Sequence, residues 1–200
     1  MIRLALLRST AVLGLVVGGC AGDTKSAGHP SGGAPTATTG AAGTAGPRLR
    51  GADYALELAP GWSDTTANRT RTGGVDRVLS ARRPRAVAVV VLRKAAFSLS
   101  TPAGLRARAR REIAAAHATA STRPRPLTLD GESAITYQYR GTTHAGARIQ
   151  ARQVLVVHDR QLHVVTLVAA RAPFAAADTA LGSMLGTWRW ADPVAAPAAR

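Results

Sequence analysis

The chain has 200 residues, 46% of them hydrophobic, and carries 26 Lys and Arg against 11 Asp and Glu, a formal net charge of +15. Its length suits one domain with a substantial core. A single cysteine excludes an intramolecular disulfide, a Cys-x-x-Cys redox pair and a cysteine-based zinc cluster.

The first residues, MIRLALLR, hold Arg3 and Arg8 and no acid, and lead into an apolar run that ends at Gly18-Gly19. Charged, apolar and small residues in that order make a secretory signal over residues 1–19. A membrane span would need about 20 apolar residues, and Ser9 to Val17 supplies nine. Val17-Gly18-Gly19-Cys20 resembles the bacterial lipobox, with Val and Gly where Leu and Ala or Ser are more usual. That resemblance implies cleavage after Gly19 and acylation of Cys20, which would become the new N-terminus. Two acyl chains hold a protein on a membrane where one binds only marginally. The expected address is therefore the extracytoplasmic face of a bacterial cell membrane.

Residues 20–49 follow as a linker. From 21 to 49 only Asp23, Lys25, His29, Arg48 and Leu49 are not Gly, Ala, Ser, Thr or Pro. So little apolar surface cannot offset ordering entropy, and a flexible chain of this length averages roughly 30 Å end to end.

A globular domain is expected over 50–192, with a frayed tail at 193–200. Tyr54 to Ala59 reads as a strand stopped by Pro60-Gly61, and Val75–Ala81 with Ala86–Arg93 as a hairpin across Arg82-Arg83-Pro84-Arg85. AVAVVVLR is apolar throughout, as in a strand covered on both faces. Thr101-Pro102 opens a helix whose apolar stripe is Leu105, Ala109, Ile113, Ala116 and Ala120. After an Arg123-Pro124-Arg125-Pro126 loop, Ser133–Arg140, Arg148–Val157 and Leu162–Ala170 form a meander, the last turn being Asp159-Arg160. A two-residue turn there sets His158 opposite Gln161 and His163 opposite Val156. Pro173 begins a second helix with Phe174, Ala177, Leu181 and Leu185 inward, and Trp188-Arg189-Trp190 closes the domain as a short strand. The sum is an α+β domain, an antiparallel sheet of about six to seven strands flanked by two main helices.

Tyr54-Ala-Leu-Glu-Leu-Ala-Pro-Gly-Trp62, Leu129-Asp130-Gly131-Glu-Ser-Ala134, the strand pair after it and Thr187-Trp188-Arg189-Trp190 together resemble the actinobacterial LpqN-type lipoproteins and the wider PsbP-like fold. The resemblance spans nearly the whole domain and rests on turns and core aromatics. It implies an α-β-α sandwich used for binding or assembly, with no catalytic residue to carry over.

The residues themselves offer no reaction. His-Glu-x-x-His, Gly-x-Ser-x-Gly and Gly-x-x-x-x-Gly-Lys are all absent from the sequence. No cofactor or metal is expected, since His117, His144, His158 and His163 do not converge as three or four ligands. Asp130 and Glu132 are close enough for acid-base work, but Asp130-Gly131 reads more simply as a turn. Trp62, Trp188 and Trp190 read as plugs at the sheet ends rather than a ligand platform.

Nucleic acid is the usual partner of such a charge, yet export and the absence of a binding motif argue against it. Lys25 and Lys94 are the only lysines, and an arginine excess of this kind also arises from G+C-rich coding. The candidate basic patch is Arg106, Arg108, Arg110 and Arg111 on the first helix with Arg123 and Arg125 beyond it, facing anionic lipid or an acidic wall polymer. The leading expectation is a non-enzymatic envelope lipoprotein that binds a protein or such a polymer. A carrier or sensor of a small apolar ligand and an exported hydrolase with an unrecognised site are the alternatives.

Overall fold

The computed structural model describes residues 46–68, 74–99, 101–115, 117–143 and 146–191. The expectations for Gly19, Cys20, His144 and the tail lie outside these residues. The described chain runs β1 (Arg48–Arg50), β2 (Tyr54–Glu57), β3 (Trp62–Asp64), β4 (Val75–Arg82), β5 (Arg85–Lys94), α1 (Pro102–Ala115), β6 (Thr119–Ala120), β7 (Arg125–Leu129), β8 (Glu132–Thr142), β9 (Arg148–His158), β10 (Gln161–Ala170), α2 (Phe174–Gly186) and β11 (Arg189–Trp190).

The main sheet has eight strands in the order β3-β4-β5-β10-β9-β8-β6, with β7 also paired to β8, and a second sheet has the order β1-β2-β11. Every pairing is antiparallel. This is the expected α+β class, with more strands than the sequence suggested because β1, β3, β6 and β11 are only two or three residues long.

β5 shows why the sheet is covered on both sides. Its side chains alternate across the pleat: Ala86, Ala88 and Val90 enter one core with α2 and the small sheet, while Val87, Val89 and Val91 enter another with Leu105 and Ala109 of α1. The small residues face α2, whose own Ala177 is fully buried, so helix and sheet approach closely.

α1 begins as its sequence predicts. The Thr101 Oγ1 accepts the Gly104 N–H at 3.1 Å, an N-cap that satisfies one of the free donors of the first turn. Its end comes earlier than the apolar stripe suggested. His117 adopts φ 49°, and Ala120 lies exposed in β6 rather than on a helix. The expected Arg123–Pro126 loop is also shorter, because Arg125 and Pro126 belong to β7. A proline is tolerated there since β7 pairs only with β8. At the other end of the domain, Leu49 is buried in β1 and joins the core.

Candidate functional site

The chemistry-bearing side chains gather where the small sheet lies on the ends of β9 and β10. Gln161 pairs with His158 and His163 with Val156, the register expected from the Asp159-Arg160 turn, in which both residues have positive φ. The two histidines therefore sit diagonally on one face. Trp190 of β11 bridges them, stacking on His158 at 4.1 Å and 8° and meeting His163 edge-on at 4.9 Å.

His163 is fully buried, and its Nε2 lies 2.9 and 3.1 Å from the two carboxylate oxygens of Asp53. The carboxylate accepts, so Nε2 carries the hydrogen, while Nδ1 is buried without a partner. Tyr54 and Trp188 enclose the ring, themselves stacked at 4.1 Å and 9°. His158 Nδ1 lies 3.1 Å from Glu132 Oε1. Trp190 thus packs on both histidine rings and ties the last strand to the sheet. A general base must reach a substrate proton, and neither ring opens onto a cleft.

Carboxylates that might have worked as a pair are engaged separately. Asp130 Oδ2 accepts the Trp190 N–H at 2.7 Å, Glu132 holds His158, and Asp130-Gly131 forms the turn with φ 45° and 86°. Only glycine adopts the second value without strain.

Two further networks pin the layers together. The Tyr54 hydroxyl donates to Asp76 Oδ2 at 2.8 Å, and burial, then the Asp76 charge, pushes the Tyr54 pKa far up. Under α1, Arg108 Nε donates to Glu112 Oε1 at 2.6 Å, and the Tyr137 hydroxyl bonds both Glu112 and Gln153. Burial, then the Glu112 charge, raises the Tyr137 pKa, and burial raises that of Tyr139. On the opposite face Arg152 Nη1 and Gln138 Nε2 donate to the two Asp178 oxygens at 3.1 and 3.0 Å, anchoring α2.

Trp62 and Trp188 are core residues, with both indole N–H groups buried and unpartnered. Two concavities open on the surface. One of about 250 Å³ lies between the start of α1 and Glu132-Ser133, and one of about 310 Å³ lies between Arg93-Lys94 and Arg160-Gln161. Among the described residues no three His, Cys, Asp or Glu side chains are grouped to hold a metal ion, and no helix is long and apolar enough to cross a membrane.

The six candidate arginines are not gathered on one face. Arg108 is taken by Glu112. Arg125 is in register with Thr136, whose hydroxyl accepts from Arg152 on the α2 side, whereas Arg106, Arg110 and Arg111 belong to α1 on the other side. Arg123 is exposed at the sheet edge between them. The Asp53–His163 pair was not visible in the sequence, since 110 positions separate its members. The signal for it is the shared face of His158 and His163 together with the Trp-Arg-Trp alternation.

No protein-family model and no curated protein matches the chain. Solved structures do. LpqN of Mycobacterium tuberculosis, involved in cell envelope biogenesis, superposes with a TM-score of 0.55 at 15% identity over 76% of this chain and 88% of its own. Cyanobacterial PsbP (CyanoP) from Synechocystis sp. PCC 6803 gives 0.53 at 16% identity over 76% and 97%. A point mutant of the protein Mog1 gives 0.50 at 11% identity over 72% and 97%. At these identities the likeness is one of fold, and the domain has the PsbP-like α+β fold.

Proposed function

We propose that this chain is an actinobacterial-type envelope lipoprotein, tethered through acylated Cys20, whose PsbP-like domain is a non-enzymatic binding or accessory module. The observation that carries the non-enzymatic part is that the histidines of both histidine–carboxylate pairs are packed against Trp190. Groups that elsewhere serve as acid and base are used here to hold a strand. The leader and Val17-Gly18-Gly19-Cys20 support export and tethering. The fold shared with LpqN, an envelope-biogenesis protein, is consistent with work at a cell surface.

The chain is strongly basic, which favours a partner met on a charged surface. We place that partner among envelope proteins and anionic envelope components. The test is a crosslinking pull-down from intact cells expressing wild type beside Cys20→Ala, with the membrane fraction read by mass spectrometry. Enrichment of one protein or glycolipid only by the anchored form supports a localised binding module. Equal fractionation and equal partners for both forms contradict the tether.

A further inference from the structure

A second group of arginines, apart from the six named from the sequence, is brought together by strand register. Ala86 of β5 pairs with Ala169 of β10, Ala170 of β10 with Ile149 of β9, and Ile149 with Gly141 of β8. The residues just beyond or beside these pairs are Arg82, Arg83 and Arg85 of the β4–β5 turn, Arg171 after β10, Arg148 at the start of β9 and Arg140 near the end of β8. All six are exposed, and none forms an ion pair with a described residue. Five adjacent strands at about 4.8 Å spacing spread them over roughly 19 Å, within about two Debye lengths at 0.1 M salt.

The opposite end of the same sheet is close to balance: Asp76, Asp130, Glu132 and Asp159 lie there, at the start of β4 and in the β7–β8 and β9–β10 turns, beside Arg77, Arg93, Lys94 and Arg160. The two ends of the strands therefore differ in charge, the first being the basic one.

The route of the N-terminal segment gives that polarity a direction. The Leu58 N–H donates to Pro47 O at 2.9 Å, and a Cβ on Gly46 would run into the Leu58 carbonyl. From Leu58 the chain passes through Pro60 to Gly61, where a Cβ would lie 3.7 Å from Arg83 O, and β3 then pairs Trp62 with Ala81. The segment that leads back to Cys20 thus joins the domain along the strand running to the arginine-rich end.

We propose that this end of the main sheet, Arg82, Arg83, Arg85, Arg140, Arg148 and Arg171, is a docking surface for an anionic phospholipid membrane. The proposal takes its choice of partner from the tethered reading above, because a flexible tether of roughly 30 Å keeps the domain within reach of headgroups and leaves charge to select the face that meets them. Each basic side chain close to such a surface strengthens partitioning about fivefold.

The experiment uses the full chain carrying Cys20→Ala, so that no acyl chain contributes, with vesicles of phosphatidylglycerol and phosphatidylcholine against phosphatidylcholine alone. Neutral vesicles report the apolar leader, and the excess on anionic vesicles reports the basic groups, Arg3 and Arg8 of the leader included, so that the variants below assign it. If the six act independently the expected excess is on the order of 10⁴-fold at 0.1 M salt, and it vanishes near 1 M, where the Debye length falls to about 3 Å. Arg82→Gln/Arg83→Gln/Arg85→Gln lowers it by about 100-fold if the three act independently, with the circular dichroism spectrum unchanged. Arg106→Gln/Arg110→Gln/Arg111→Gln leaves it within about threefold of wild type.

An absent excess, an excess insensitive to salt, or an equal loss in the α1 variant overturns the proposal. Displacement from anionic vesicles by a soluble glycerol-phosphate polymer at a lower phosphate concentration than the vesicles present overturns it in favour of a wall polymer. An unacylated Cys20 in cells would defeat the tether while leaving the vesicle excess standing, so the two failures are distinguishable.

Discussion

Removing Asp53 alone should cost more than removing both members of the Asp53–His163 pair. His163 is fully buried, with Nδ1 already unpartnered and Nε2 held only by Asp53. In Asp53→Ala both ring nitrogens lie in the core without a partner, and an unsatisfied buried polar group costs about 1–3 kcal/mol. We expect a loss of about 2 kcal/mol. His163→Leu leaves Asp53 at a site where its side chain is 25% exposed and can rehydrate, and it removes the Nδ1 penalty. It also forfeits edge contacts with Tyr54, Trp188 and Trp190, each worth about 0.5–1.5 kcal/mol at most. The double variant should fall about 1 kcal/mol below wild type, so the coupling between the sites is about 1–2 kcal/mol. Urea unfolding of the four proteins at neutral pH gives the cycle directly. Additive losses would mean that His163 and Asp53 do not depend on one another, which would refute the structural role assigned to the pair.

Gly104→Ala and Gly182→Ala should move stability in opposite directions. A Cβ at Gly104 would lie 1.6 Å from Ser98 O, whereas nothing lies within 4 Å at Gly182; we expect a loss of about 1–3 kcal/mol for the first and a gain of about 0.5–1 for the second, read by urea unfolding. The three tyrosines of the chain are Tyr54, Tyr137 and Tyr139, and all have raised pKa values. The folded domain therefore keeps phenolic protons that the unfolded chain releases above about pH 10, and stability falls there by up to about 1.4 kcal/mol per pH unit for each ring. Ultraviolet titration should show phenolate appearing together with loss of circular dichroism; gradual ionisation of a still-folded domain would contradict this. Asp178→Ala should loosen α2 by about 1–3 kcal/mol, because Arg152 and Gln138 lose their shared acceptor; an unchanged urea midpoint would show that the anchor is incidental.

Local signals carried much of this fold. The continuous apolar run of β5, the meander from β8 to β10 and both helix starts follow from period, turn residues and caps. What escaped was decided at long range. β6 and β7 are edge strands whose shape is set by β8, and Pro126 disguises one of them. Alanine-rich sequence continues past Ala115, so propensity alone extends α1 until the His117 backbone ends it. The Asp53–His163 contact and the convergence of Arg83, Arg140, Arg148 and Arg171 exist only once strands distant in sequence are in register, and no spacing rule points to them.

The most direct test of the tethered binding module is the intact mass of the N-terminal peptide of the chain extracted from bacterial membranes. A peptide that begins at Cys20 and carries a diacylglyceryl group, absent in Cys20→Ala and accompanied by release of that variant from the membrane fraction, is the predicted result. A peptide that begins elsewhere, or an unmodified Cys20 on a chain that remains with the membrane, would contradict the account.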